Sequence, residues 1–171
     1  MWFKEDVRLV MLDREPGELC RLPYPNHPKG CPNYGKKDLC PPRCPKLEAA
    51  FRMDQPFHLV WMRFDIGSHA RRMKALHPEW SERQCYCCLY WQGTVRSRLR
   101  DLEDCFLNTL YDDGYYGHPE CVATQCAEAM GVNLTETMKL NCDIELEWPP
   151  KETVYKISLI GTPTDEWRDK L

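Results

Sequence analysis

The clearest hydrophobic run in this chain is "FHLVWMRFDI" (Phe57–Ile66). Its aromatic and β-branched residues follow one another almost without a polar break, which predicts a buried strand. After Pro78 the period changes. Cys88, Trp91, Val95, Leu99, Leu102, Phe106 and Leu110 recur at steps of three and four, which predicts one long helix with a single apolar face. Asp113-Gly114 marks its end. Shorter patterns flank these two. "DVRLVMLD" (Asp6–Asp13) predicts a first strand. "PKLEAAFRM" (Pro45–Met53) predicts a short helix with proline at its first position, and "GSHARRMKAL" (Gly67–Leu76) a second. "ECVATQCAEAMG" (Glu120–Gly131) reads as a helix stopped by Gly131, with a further turn or two over Leu134–Leu140. "IELEW" (Ile144–Trp148) and "ETVYKISLIG" (Glu152–Gly161) predict two closing strands separated by Pro149 and Pro150.

One stretch fits neither period. Between Arg14 and Pro45 stand eight prolines and five glycines or asparagines. Such a composition argues against a helix and against a central strand. A loop this long is uncommon in a compact domain unless something organises it. The pattern as a whole predicts an α+β fold: a small mixed sheet packed with helices, with a long cysteine-rich loop (18–46) at one end. The length of 171 residues suits one domain spanning 1–171.

Composition turns attention to that loop. The chain has 11 cysteines, an odd number that excludes complete internal disulfide pairing. No apolar run approaches a membrane span, and the start lacks the pattern of a signal peptide. A cytoplasmic setting is therefore expected, where clustered cysteines point to metal or catalysis before crosslinks. Cys20, Cys31, Cys40 and Cys44 lie in the proline-rich segment, spaced C-x10-C-x8-C-x3-C. Thiolates held at fixed positions are what zinc or an iron–sulfur cluster requires. "CPPRCP" contains the C-x3-C-P that also ends the bacterial ferredoxin run, whereas zinc knuckles favour C-x2–4-C pairs. The spacing favours a [4Fe–4S]-type centre, with zinc as the alternative. Cys85 and Cys88, in "CYCC", would share a helical face with Trp91 and are candidate further ligands. His27 is a candidate replacement ligand within the loop.

Charge adds two expectations. The first 100 residues carry 18 Lys/Arg and 11 Asp/Glu, while the rest carry 5 and 15. The cysteine loop is itself basic, which would offset an anionic thiolate centre or, without metal, lower the thiol pKa values. On the long helix, Arg96 and Arg100 stand one turn apart near Trp80, Tyr86, Tyr90 and Trp91. They are candidate substrate-binding residues for a small anion. Nucleic acid is an alternative partner, although a pI near 6.0 lies below the range of a basic nucleic-acid-binding domain. His69 and His77, with Arg71, Arg72 and Lys74, form a second basic stretch.

Two stretches carry a resemblance. "CPNYGKKDLCPP" (Cys31–Pro42) resembles a C-P-x-Y-G-K…C-P-P element, and "HPECVATQCAEAMGVNLTETM" (His118–Met138) resembles an H-P-E…M-E-A-x-G-I-D helix followed by a closing strand. Both belong to an uncharacterised cysteine-rich family described as predicted metal-binding proteins, a domain of unknown function. The resemblance implies metal binding, with Cys20 as an upstream ligand, and supplies no reaction. Where that family carries a ferredoxin-like cysteine cluster before H-P-E, this chain has "YDDGYYG". The expectation is a metalloprotein of redox or sulfur-handling type, with a redox partner or small anionic substrate. The alternative is a zinc-stabilised binding module without catalysis.

Overall fold

The computed structural model describes residues 2–15, 17–23, 28–112 and 121–169. The expected α+β class is what it shows. Four strands make one sheet in the order β1-β2-β4-β3: β1 Phe3–Lys4, β2 His58–Asp65, β3 Val122–Thr124 and β4 Thr153–Gly161. All three pairings are antiparallel, so the sheet expected as mixed is not. Its centre is the β2–β4 ladder, which runs from His58 opposite Ile160 to Asp65 opposite Thr153. β3 pairs only with Leu159–Gly161, leaving the first part of β4 with a strand neighbour on one side.

Alternation sends side chains to two faces. Leu59, Trp61, Ile157 and Leu159 point to one core with Leu47, Ala50, Phe51, Met130, Val132 and Met138. These come partly from helices α2 (Leu47–Ala50) and α6 (Leu134–Cys142). On the other face Val60 and Ile160 meet Leu99 and Phe106 of helix α5 (Gln92–Asp112). Farther along that face, Val95 and Trp91 pack with Phe64 and Val154. Helix α3 (Ile66–Leu76) follows β2 directly, its N-terminus capped by the Asp65 carboxylate accepting from Ser68 N–H at 2.7 Å.

Several expectations are corrected here. The single helix from Pro78 to Leu110 is three pieces: a one-turn helix α4 (Glu82–Cys85), a 3-10 turn over Cys88–Tyr90, and α5. Ser81 and Gln84 form a capping box for α4. The break lets Trp91 stack on Phe64, with ring centroids 5.1 Å apart and planes 13° from parallel, a packing gain that outweighs weak local helix preference. The Asp6–Asp13 strand is absent; Met11 makes only an isolated bridge to Val132. "ECVATQCAEAMG" is a strand, β3, then a 3-10 turn over Ala127–Met130, ended as expected by Gly131 at φ 106°. "IELEW" joins no ladder, although Ile144 and Leu146 do pack on the first core. The proline-rich segment holds one helical turn, α1 (Glu18–Arg21), in its short window free of proline and glycine. A final turn, α7 (Asp165–Arg168), is capped by Thr164.

His69 illustrates a cost of the second face. Its ring is buried against Phe64, and its Nε2 has no hydrogen-bond partner. Burial, reinforced by Arg72, pushes its imidazole below the ordinary range. The unfolded chain therefore protonates this histidine first as the pH falls. The stability tied to neutral His69 is complete above about pH 6.5 and is lost progressively below it, down through the folded pKa. Urea midpoints at pH 7.5 and 5.5 should show this fall. A His69→Leu variant should show a smaller one, and an equal fall would remove His69 from the account.

Candidate metal centre

The proline-rich segment folds as a chain of backbone turns. Cys31 N–H donates to the Cys20 carbonyl at 2.7 Å, and Gly35 N–H to the Pro41 carbonyl at 2.8 Å. Arg43 and Cys44 N–H both donate to the Cys40 carbonyl, at 3.0 and 3.2 Å. Two glycines make these approaches possible. Gly30 has φ 79°, and a Cβ there would sit 2.6 Å from the Cys20 carbonyl oxygen. Gly17, at φ 92°, lies so close to Pro41 that a side chain would collide with its ring. The turn bearing Cys20 is thereby set against the turn bearing Cys40.

All 11 cysteines are free thiols. Cys20, Cys31, Cys40 and Cys44, expected to converge, are near neighbours at this end of the molecule, each partly buried. A fifth joins them. Cys126 begins the 3-10 turn after β3, its N–H donating to Thr124 Oγ1 at 3.2 Å. Linear spacing does not group it with them. Its only early signal was its place ahead of the apolar Ala127 and Met130, which the first core buries.

The electrostatics runs opposite to the expectation of lowered thiol pKa values. Burial raises Cys20, and nearby Cys31, Cys40, Glu128 and Cys126 raise it further. Cys44 is pushed up to about 12, first by burial and then by Cys126, Cys40 and Cys20. Burial and Cys40 raise Cys126, against Arg96, Lys156 and Lys37, which lower it. Desolvation and mutual repulsion between thiolates thus outweigh the basic surroundings. Ionisation of Cys20, Cys44 and Cys126 is thereby disfavoured, which weighs against metal-free chemistry by low-pKa cysteines at these three positions. The donors fit a soft metal in kind and number. Among the described residues, however, no three Cys, His, Asp or Glu side chains are closed on one point at metal-binding spacing.

The remaining candidates disperse. Cys85 ends α4 and is 2% exposed, while Cys88 follows on a different turn and is exposed. The shared helical face expected for them does not exist. Cys88 lies beside the Lys156 ammonium, at the margin of the thiol group. Arg96 and Arg100 both lie on the exposed side of α5, and of the two Arg96 approaches Cys126 and Lys156. His27 and the His118–Glu120 part of the second resembling stretch lie outside the described residues. The basic stretch on α3 is engaged internally: Arg71 pairs with Glu152 at 3.1 Å, and Lys74 Nζ donates to the Pro78 and Trp80 carbonyls. The aromatic residues near Arg96 are engaged too. Trp80 stacks with His77 and with Tyr90, and Tyr86 Oη donates to the Lys151 carbonyl at 3.2 Å. No helix among the described residues is long and apolar enough to cross a membrane.

No family model, curated protein or solved structure matches the chain.

Proposed function

We propose that this protein is a cytoplasmic metalloprotein that binds a [4Fe–4S]-type centre through its gathered cysteines and serves redox or sulfur-handling chemistry. One observation carries the reading. Cysteines from separate stretches lie near enough to one another at one corner that burial and mutual repulsion oppose the ionisation of Cys20, Cys44 and Cys126. A cationic metal reverses that balance, because each thiolate then faces positive charge and the released protons pass to solvent. The resemblance of "CPNYGKKDLCPP" to the predicted metal-binding family points the same way. Arg96, Lys156 and Lys37 near Cys126 would offset the negative charge of a thiolate-ligated cluster. The same thiols suit tetrahedral zinc, which would make the protein a zinc-stabilised binding module.

Anaerobic purification followed by a visible spectrum and analysis for iron, sulfide and zinc tests this. A brown protein with about four irons and four sulfides per chain is expected. A colourless protein with one zinc would establish the alternative. A protein retaining neither metal would overturn both.

A further inference from the structure

We infer that Lys156 and Arg96 form a binding site for a small oxyanion of the phosphate or sulfate class, at the place where β3 stops and β4 continues alone. The site goes beyond the metal reading and does not depend on it. Tyr155, Ile157 and Leu159 pack into the first core, so alternation turns Val154, Lys156, Ser158 and Ile160 toward α5. Val154 packs with Val95 and Trp91, and Ile160 with Leu99 and Phe106. Lys156 stands between these two apolar groups, directly opposite Met62, which packs against both. Its stem therefore lies beneath the first turns of α5, and the residue is half-buried.

Helical phase brings Arg96 to the same place. Glu103 is buried and accepts a hydrogen bond from Gln125, just past β3, at 2.9 Å, so this flank of α5 looks toward the end of β3. Arg96 precedes Glu103 by two turns on that flank. From Thr153 to Ser158, β4 has no strand on its β3 side among the described residues, which leaves the border at Lys156 open to the exposed Arg96. Two cations are thus held on one side of the sheet, and among the described residues neither is in an ion pair. Burial first, and then Arg96, hold the Lys156 ammonium below its usual range, opposed by Cys88, Glu128 and Cys126. Like charges kept together without a paired carboxylate call for an anion. Arginine offers a planar fork to two oxygens and lysine a point charge to a third, which suits a tetrahedral oxyanion. Arg100 stands farther round α5 and is exposed, outside this site.

Calorimetric titration of the reduced full chain with inorganic phosphate, at constant ionic strength in chloride, tests this. One saturable site per chain is expected, for which sulfate competes. Phenyl phosphate titrated in parallel distinguishes a free oxyanion from a phosphate ester, and saturable binding of either supports the site. Arg96→Ala and Lys156→Met should each weaken binding about tenfold or more, the loss of a charged hydrogen bond. Arg98→Ala, on the other flank of α5, should bind as the wild type does. Lys156→Met replaces a half-buried ammonium with an apolar chain, so its urea midpoint in chloride should equal or exceed that of the wild type. Absence of saturable binding to the wild type would overturn the site and leave Arg96 and Lys156 as counter-charges to the thiol corner. Equal weakening in Arg98→Ala would overturn it in favour of general charge attraction, and a lowered midpoint in Lys156→Met in favour of a structural role for the ammonium. None of these readouts depends on metal content, so the metal reading stands or falls separately.

Discussion

If the corner binds a metal as proposed, stripping it from the reduced protein is expected to open the segment from Gly17 to Lys46 while leaving the sheet in place. Within that segment only Gly17, Gly30 and Pro41 are buried among the described residues. Its leucines Leu19, Leu22 and Leu39 are exposed. The hydrophobic effect therefore does little to hold it. Its ion pairs, Arg43 with Asp38 and Lys46 with Glu15, are solvent-exposed, and such pairs contribute little. A structural metal, in contrast, supplies on the order of 10 kcal/mol to the segment it organises. Tryptic cleavage at Lys29, Lys36, Lys37, Arg43 and Lys46 should accelerate by roughly tenfold or more once metal is removed. Far-UV circular dichroism should change little, because β2, β4 and α5 lie outside the segment. Equal cleavage rates with and without metal would mean that the backbone turns suffice.

The second large effect concerns the opposite face. Leu99 is fully buried and packs with Val60, Phe106 and Ile160 where α5 crosses the sheet. Leu99→Ala should destabilise the protein by about 2–5 kcal/mol, combining lost transfer free energy with the cavity left behind. Against a typical total of roughly 5–15 kcal/mol, that is a large fraction. Urea unfolding should show a clear drop in midpoint with an unchanged slope. Leu89→Ala, at a side chain 84% exposed, should leave the midpoint nearly unmoved. A similar small effect at Leu99 would mean that α5 does not bear on the sheet as described.

The parts legible in sequence were those whose pattern and packing agree. "FHLVWMRFDI" alternates between two apolar faces, and both are covered, so β2 formed where expected. The three- and four-residue steps from Val95 to Leu110 all lie on α5, and those steps alone suffice for a helix. Trp91 and Cys88 continued the same period but stand before α5. A period cannot foresee that Trp91 gains more by stacking on Phe64. β3 was hidden for a different reason. Three residues are too few to show a period, and its partner, Leu159–Gly161, lies far along the chain. That same distance concealed Cys126. Linear spacing groups cysteines that are close in sequence, whereas Cys126 reaches the others by way of β3 and the turn that follows it. The charge of the loop was read correctly but its effect was not, because burial and repulsion among sulfurs are visible only in three dimensions.

The shortness of β3 has a consequence of its own. Beyond Leu159, among the described residues, the rim of β4 toward Thr153 has no strand beside it on the β3 side, and Cys126 and Glu128 come near it at Lys156. An open rim of this kind is a template onto which a strand from another molecule can add. Were the sulfur-bearing stretches to peel back, this border is where self-association would be expected to begin.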